Sequence, residues 1–173
     1  MKIHVDKYER IWIIMVSIVL GVFFASLVAG ALVYGVRPAQ PEGFINPMRL
    51  DETEFANPGV RHMGENRYEA LIMSQAWRFE TGEVDDTGLP VIRVPAGADV
   101  TFKMTSRDVI HGFMIEESNV NLEILPGQVG SARETFNEPG EFYFLCTQYC
   151  GRNHHGMYGK LIVEEATTEV AKD

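Results

Sequence analysis

From Ile11 to Val36 the chain carries no charged residue, and Arg10 and Arg37 bracket the stretch. A helix that crosses a bilayer takes about 20 apolar residues, so this run is long enough to be one. The competing reading is a cleaved secretory signal, for which Ala29-Gly30-Ala31 offers small residues. The apolar part of a signal spans only about 7–15 residues, which favours a retained anchor over 11–36. Lys2, Lys7 and Arg10 crowd the leading flank while only Arg37 stands close behind. The positive-inside rule then keeps residues 1–10 cytoplasmic and exports the rest, giving a single-pass protein of the plasma membrane.

Beyond the helix, residues 37–67 are rich in Pro, Gly and polar residues and read as a connector. Residues 68–165 are enough for one compact domain. There, apolar and polar residues alternate in short runs at 69–79, 91–94, 100–104, 110–115, 121–125, 129–136, 141–145 and 160–163. Pro95-Ala96-Gly97, Pro126-Gly127 and Glu138-Pro139-Gly140 punctuate them. Short strands so spaced predict an all-β sandwich or barrel. Residues 166–173 form a polar tail, expected to fray.

Within this domain one segment carries chemistry: Cys146-Thr147-Gln148-Tyr149-Cys150-Gly151-Arg152-Asn153-His154-His155-Gly156-Met157. Thiolate, thioether and imidazole are soft donors that select copper over hard cations. His111, 35 residues before Cys146, lies in a strand-like stretch and offers a second imidazole. One cysteine, two histidines and a weak methionine suffice for a mononuclear blue-copper site, which would leave Cys146 surplus. If both cysteines bind, two bridging thiolates hold two copper ions. A disulfide is the ordinary fate of two cysteines in an exported domain, and zinc prefers four strong ligands, which would leave Met157 idle.

Cys-x3-Cys-x3-His-x2-Met with an upstream His resembles the dicopper (CuA) motif of subunit II of the heme-copper oxidases. Val94-Pro95-Ala96-Gly97, Val109-Ile110-His111-Gly112-Phe113, Leu125-Pro126-Gly127-Gln128 and Pro139-Gly140-Glu141-Phe142 resemble the same family in the same order, over about residues 68–165. The resemblance implies a cupredoxin-like Greek-key sandwich with the ligand loop between its last two strands. It implies that Cys146 and Cys150 bridge two coppers capped by His111 and His154, with Met157 axial to one and the Gln148 carbonyl axial to the other. Many members have glutamate where this chain has the neutral Gln148, which removes the carboxylate that helps hold a further, non-redox metal. With one membrane helix, the chain is similar to the B-type branch. The implied role is the electron-input subunit of a respiratory cytochrome c oxidase, taking electrons from cytochrome c and passing them to heme in subunit I. No heme attachment motif occurs in this chain. A membrane-tethered blue-copper carrier and a copper storage or assembly protein are the alternatives.

The formal net charge of −9 and the absence of a basic patch argue against nucleic acid as a partner. Glu83, Asp85, Asp86, Glu116, Glu117 and Glu123 either steer a basic donor or simply keep the domain soluble. Alternation puts Trp77 and Phe79 on one strand face. In the related family an aromatic near this position belongs to the donor-docking surface; core packing is the alternative. Tyr149, beside a cysteine, is expected to shield the site from water. Met63, Met73, Met104 and Met114 read as gap-filling residues. Tyr8-Glu9-Arg10-Ile11-Trp12 resembles the segment of B-type subunits in which the glutamate marks a proton-uptake channel, so Glu9 is a candidate for that role; a solvated charge paired with Arg10 is the alternative.

Overall fold

The computed structural model describes residues 6–33 and 41–165; residues 1–5, the predicted helix end 34–36, the start of the expected connector 37–40 and the polar tail 166–173 lie outside it. The helix and the β domain form two separate units, dividing between residues 39 and 40. Helix α1 spans Lys7–Val33. It begins before the apolar run because Asp6 caps it, its carboxylate accepting from the Tyr8 N–H at 2.9 Å. Its apolar side chains are exposed along its whole length, the condition of a helix whose solvent is lipid. The chain is thus membrane-anchored.

The second unit is a two-layer β structure. One layer contains β1 (Gly43–Phe44), β2 (Gly59–His62), β3 (Arg67–Gln75), β4 (Arg78–Glu80), β7 (Ala98–Ser106) and β10 (Gln128–Phe136). Its order is β1-β10-β7-β3-β2, with β4 hairpinned onto β3. The other contains β5 (Glu83–Val84), β6 (Pro90–Pro95), β8 (His111–Ile115), β9 (Asn121–Ile124), β11 (Gly140–Leu145) and β12 (Tyr158–Glu164), in the order β5-β6-β12-β11-β8-β9. Most pairs are antiparallel, but β3 runs parallel to β7 and β6 parallel to β12. Parallel neighbours require crossovers, so the chain passes repeatedly between layers, as in a cupredoxin-like sandwich.

Between the layers lies one core. Phe79, Phe113 and Phe144 meet at its centre with ring centroids 5.2–5.6 Å apart, and Phe102 and Phe136 extend the cluster. Cys146, Cys150 and Met157 belong to the same buried cluster, so the ligand loop is seated on the aromatic core.

Residues 41–67 of the expected connector are structured. There, β1 pairs with β10 and β2 with β3, and 3-10 turns cover Pro47–Glu52 and Glu54–Ala56. Leu50 and Phe55 are buried, and Phe55 packs with Ile45 on Leu71 and Val129. These last two residues lie on the outward face of β3 and β10, so the segment covers the back of that layer. β3 signals the cover: Ala70 to Ser74 are buried without interruption, the pattern of a strand enclosed on both faces.

Candidate metal centre

Residues 146–157 join β11 to β12, and the Cys146 N–H donates to the Met157 carbonyl at 3.0 Å to close the neck of the loop. The His154–Gly156 turn is set by His154 N–H to Gly151 O and Met157 N–H to His154 O, each 3.1 Å. It brings His154 Nδ1 to 3.5 Å and Met157 Sδ to 3.7 Å from Cys150 Sγ.

The second imidazole arrives by strand register. β8 pairs antiparallel with β11, Leu145 opposite Met114 and Phe144 opposite Ile115. Continuing that register past the strand ends sets Gly112 beside Thr147. A Cβ on Gly112 would overlap the Thr147 hydroxyl and stand 2.8 Å from Gln148 N, so glycine lets the strand reach the loop. His111 then lies with Nδ1 3.9 Å from Cys146 Sγ and no exposed surface.

Cys146 and Cys150 are free thiols with Sγ atoms 3.7 Å apart, far beyond the roughly 2.05 Å of a disulfide. Cys146 Sγ also lies 3.2 Å from the Gln148 carbonyl oxygen. The ligating atoms of His111, Cys146 and Cys150 all fall within 4.8 Å of one another. Burial pushes the Cys146 thiol up, but the His111 ring, the Gly112 N–H and Cys150 outweigh it and bring it down to about 6. Cys150 is pushed up to about 12 by burial and by the neighbouring Cys146. Burial pulls the His111 pKa down, but contacts with Cys146 and Asp108 outweigh it and raise it. A pocket that already favours one thiolate beside a second soft sulfur, two imidazoles and a thioether has the chemistry of a copper site.

Two readings of nearby aromatics need correction. Trp77 and Phe79 do not share a strand face: the chain reverses at Ala76-Trp77, pairing Gln75 with Arg78 and Ser74 with Phe79. Phe79 is fully buried in the aromatic core, which bears out core packing and removes it from any docking surface. Trp77, at the tip, is 40 % exposed and packs its indole against Gly151. No Gly, Pro, Asn or Asp marks this turn, which hid it from pattern reading. Tyr149 is 79 % exposed with its ring 5.8 Å from that of His154, so it stands out from the loop and does not shield it. His155 is exposed, as is Met63, which fills no gap; Met73 and Met104 are buried. Glu9 is exposed in the first turn of α1, in the other unit.

Two contributors escaped the sequence reading. Gly112 was legible only as part of a motif. Asp108 precedes His111 by three residues and accepts from its Nε2 at 2.9 Å. Burial raises the pKa of this carboxyl, but hydrogen bonds from His111 and from the Ala76 and Val109 N–H groups hold it below its ordinary value. The signal that could have found it is the rule that a ligating histidine donates its other ring N–H to a nearby acceptor.

Residues 68–166 match the family described as cytochrome C oxidase subunit II, periplasmic domain. A cytochrome c oxidase subunit 2 of Thermus thermophilus is 37% identical over 164 residues, covering 91% of this chain and 92% of that protein. Among solved structures, a chain of a heme-copper terminal oxidase dimer determined by cryo-EM is 31% identical, with a TM-score of 0.69, over 91% of this chain and 100% of its own. The periplasmic domain of subunit II of cytochrome oxidase from Bradyrhizobium japonicum shares the fold, with a TM-score of 0.50 at 18% identity, over 62% of this chain and 84% of its own.

Proposed function

This chain belongs to the cytochrome c oxidase subunit II family, and on that premise we propose that His111, Cys146, Cys150, His154 and Met157, with the Gln148 carbonyl, hold two copper ions in a dicopper centre. The chain is the electron-input subunit of a membrane-bound heme-copper oxidase and works beside subunit I, where oxygen is reduced. When bound, the copper pair supplies a one-electron acceptor and donor. The observation that carries the two-copper reading is the pair of reduced thiols 3.7 Å apart, with an imidazole nitrogen near each sulfur, 3.9 and 3.5 Å away. A mononuclear site needs only one of those thiols.

The residues divide the remaining work. The rigid aromatic core beneath Cys146 and Cys150 holds the donor positions, which keeps reorganisation small when charge changes. Burial of both sulfurs and of His111 excludes water. Trp77, Val109, Ile110 and Tyr149 are exposed apolar side chains close to the loop, and a small donor such as cytochrome c docks over them. The N-terminus faces the cytoplasm and the β domain the opposite side, following the basic flank of α1. Glu9, exposed near the start of that helix, serves proton uptake into subunit I.

Metal analysis and electron paramagnetic resonance of the copper-loaded chain test the central claim. Two coppers per chain sharing one unpaired electron are expected. A single copper with a four-line pattern would replace the proposal with a membrane-tethered blue-copper carrier. For Glu9, the Glu9→Gln variant should leave copper reduction unchanged and slow oxygen turnover of the assembled oxidase; wild-type turnover would remove Glu9 from the proton path.

A further inference from the structure

Asp108 lies between β7 and β8, below the ligand loop, and its two oxygens point to different parts of the site. Oδ1 accepts from His111 Nε2 at 2.9 Å and from the Val109 N–H at 2.7 Å, with the Ser106 hydroxyl 3.4 Å away. Oδ2 accepts from the Ala76 N–H at 2.7 Å. Ala76 opens the β3–β4 tip that carries Trp77, and Trp77 in turn packs on Gly151, the residue after Cys150. One carboxylate therefore joins three stretches distant in sequence: the tip, the histidine and, through the indole, the sulfur loop.

We propose that Asp108 is the positioning residue of this centre, holding the His111 ring with Nε2–H turned away and Nδ1 toward Cys146 while its second oxygen fastens the Trp77 tip against the loop. This rests on the reading of His111 as a metal ligand. A turn carboxylate with a purely structural task would need only its Val109 N–H contact. Here the imidazole contact fixes which ring nitrogen carries the proton, and an anionic acceptor on Nε2–H makes the other nitrogen a stronger donor. A stronger donor favours the more oxidised state of a bound metal, so the carboxylate lowers the reduction potential. The Ala76 contact holds the exposed Trp77 in place against Gly151, so the same group also sets the surface presented to an electron donor.

The test uses the full chain in detergent, loaded with copper. In the wild type, the Nε2–H proton of His111 in the reduced protein is expected to exchange slowly with solvent by nuclear magnetic resonance. Asp108→Asn should speed that exchange, weaken copper binding by about 10–100-fold, as loss of such outer partners does, and raise the reduction potential. Asp108→Glu, which keeps the charge on a longer arm, should return the potential toward the wild-type value while leaving the Trp77 indole resonance displaced. An unchanged potential and exchange rate in Asp108→Asn would overturn the proposal. So would a freely exchanging Nε2–H in the wild type, a result that depends on no variant folding. A chain that holds one copper would refute the dicopper reading, yet the His111 exchange measurement would still decide the role of Asp108.

Discussion

Residues 41–58 and residues 146–157 are both irregular, polar-looking segments, and they join the β domain in opposite ways. The second is tied by soft side chains that converge on one point, Cys150 standing 3.5–3.7 Å from donor atoms of Cys146, His154 and Met157. The first is tied by apolar burial, Leu50 and Phe55, and by latches at its edge: Arg107 to Asp51 at 2.8 Å, and the Glu42 and Ile45 N–H groups to carbonyls of Val129 and Gly127. A loop built on element-specific chemistry can be recognised from its letters. A loop built on burial looks like any linker until the surface it covers is known.

The sharpest way to break this comparison is to remove Cys150, the one side chain that touches Cys146, His154 and Met157. Cys150→Ser is expected to cost more copper affinity than the roughly 100-fold upper range for outer-shell losses, and to abolish the dicopper spectrum. His154→Ala should do nearly the same, whereas the exposed neighbour variant His155→Ala should leave the absorption spectrum intact. If His155→Ala is the damaging one, the assignment of ligands in the loop is wrong.

Phe55→Ala tests the other segment. Truncating a fully buried phenylalanine typically costs about 3–5 kcal/mol, to be read as a loss of unfolding free energy in denaturant titrations. The copper spectrum of the folded fraction should not change, because Phe55 packs on Leu71 and Val129 behind the layer and not on the ligand loop. A domain begun at residue 68 should suffer at least as much, since it lacks the whole cover. A spectrum altered by Phe55→Ala would mean the two segments are coupled.

Gly112→Ala joins both kinds of effect at smaller size. The added methyl overlaps the Thr147 hydroxyl and crowds Gln148 N, so the loop must move. Overpacking of this kind costs about 1–3 kcal/mol, and here thermal unfolding should register that loss together with a displaced copper spectrum. Stability lost without spectral change would show that the loop position does not depend on this contact.

The smallest effect belongs to neither segment and sets the baseline. The Thr87 hydroxyl and the Leu89 N–H hold the Asp85 carboxyl below its ordinary value, and Arg133 does the same for Asp99. A carboxylate with a depressed folded-state pKa adds stability that is present above about 3.9, its usual unfolded value, and is lost as pH falls through the folded value. Both carboxylates are half-buried at the domain surface, where solvent still screens such contacts, so the loss on acidification of the metal-free chain should be slight. Asp85→Asn should make the pH series of unfolding midpoints flatter; an unaltered slope would remove Asp85 from the acid-side loss.

Much was written in the letters alone. The uncharged run predicts α1, and eight alternating stretches anticipate the principal strands, because side-chain period and charge depend only on neighbours along the chain. The donor set of the loop is equally legible, since Cys, His and Met carry their ligand chemistry wherever they stand. Tertiary structure decided the rest. The reversal at Ala76-Trp77, which separates Trp77 from the buried Phe79, carries no turn residue and follows from pairing with β3. The covering role of 41–58 depends on which face of β3 and β10 is left apolar, and the hydrogen bond from Ala76 to Asp108 joins residues 32 apart in sequence. Contacts of that kind arise from strand register between distant segments, and register is set by the packing of the whole sandwich rather than by any local stretch of sequence.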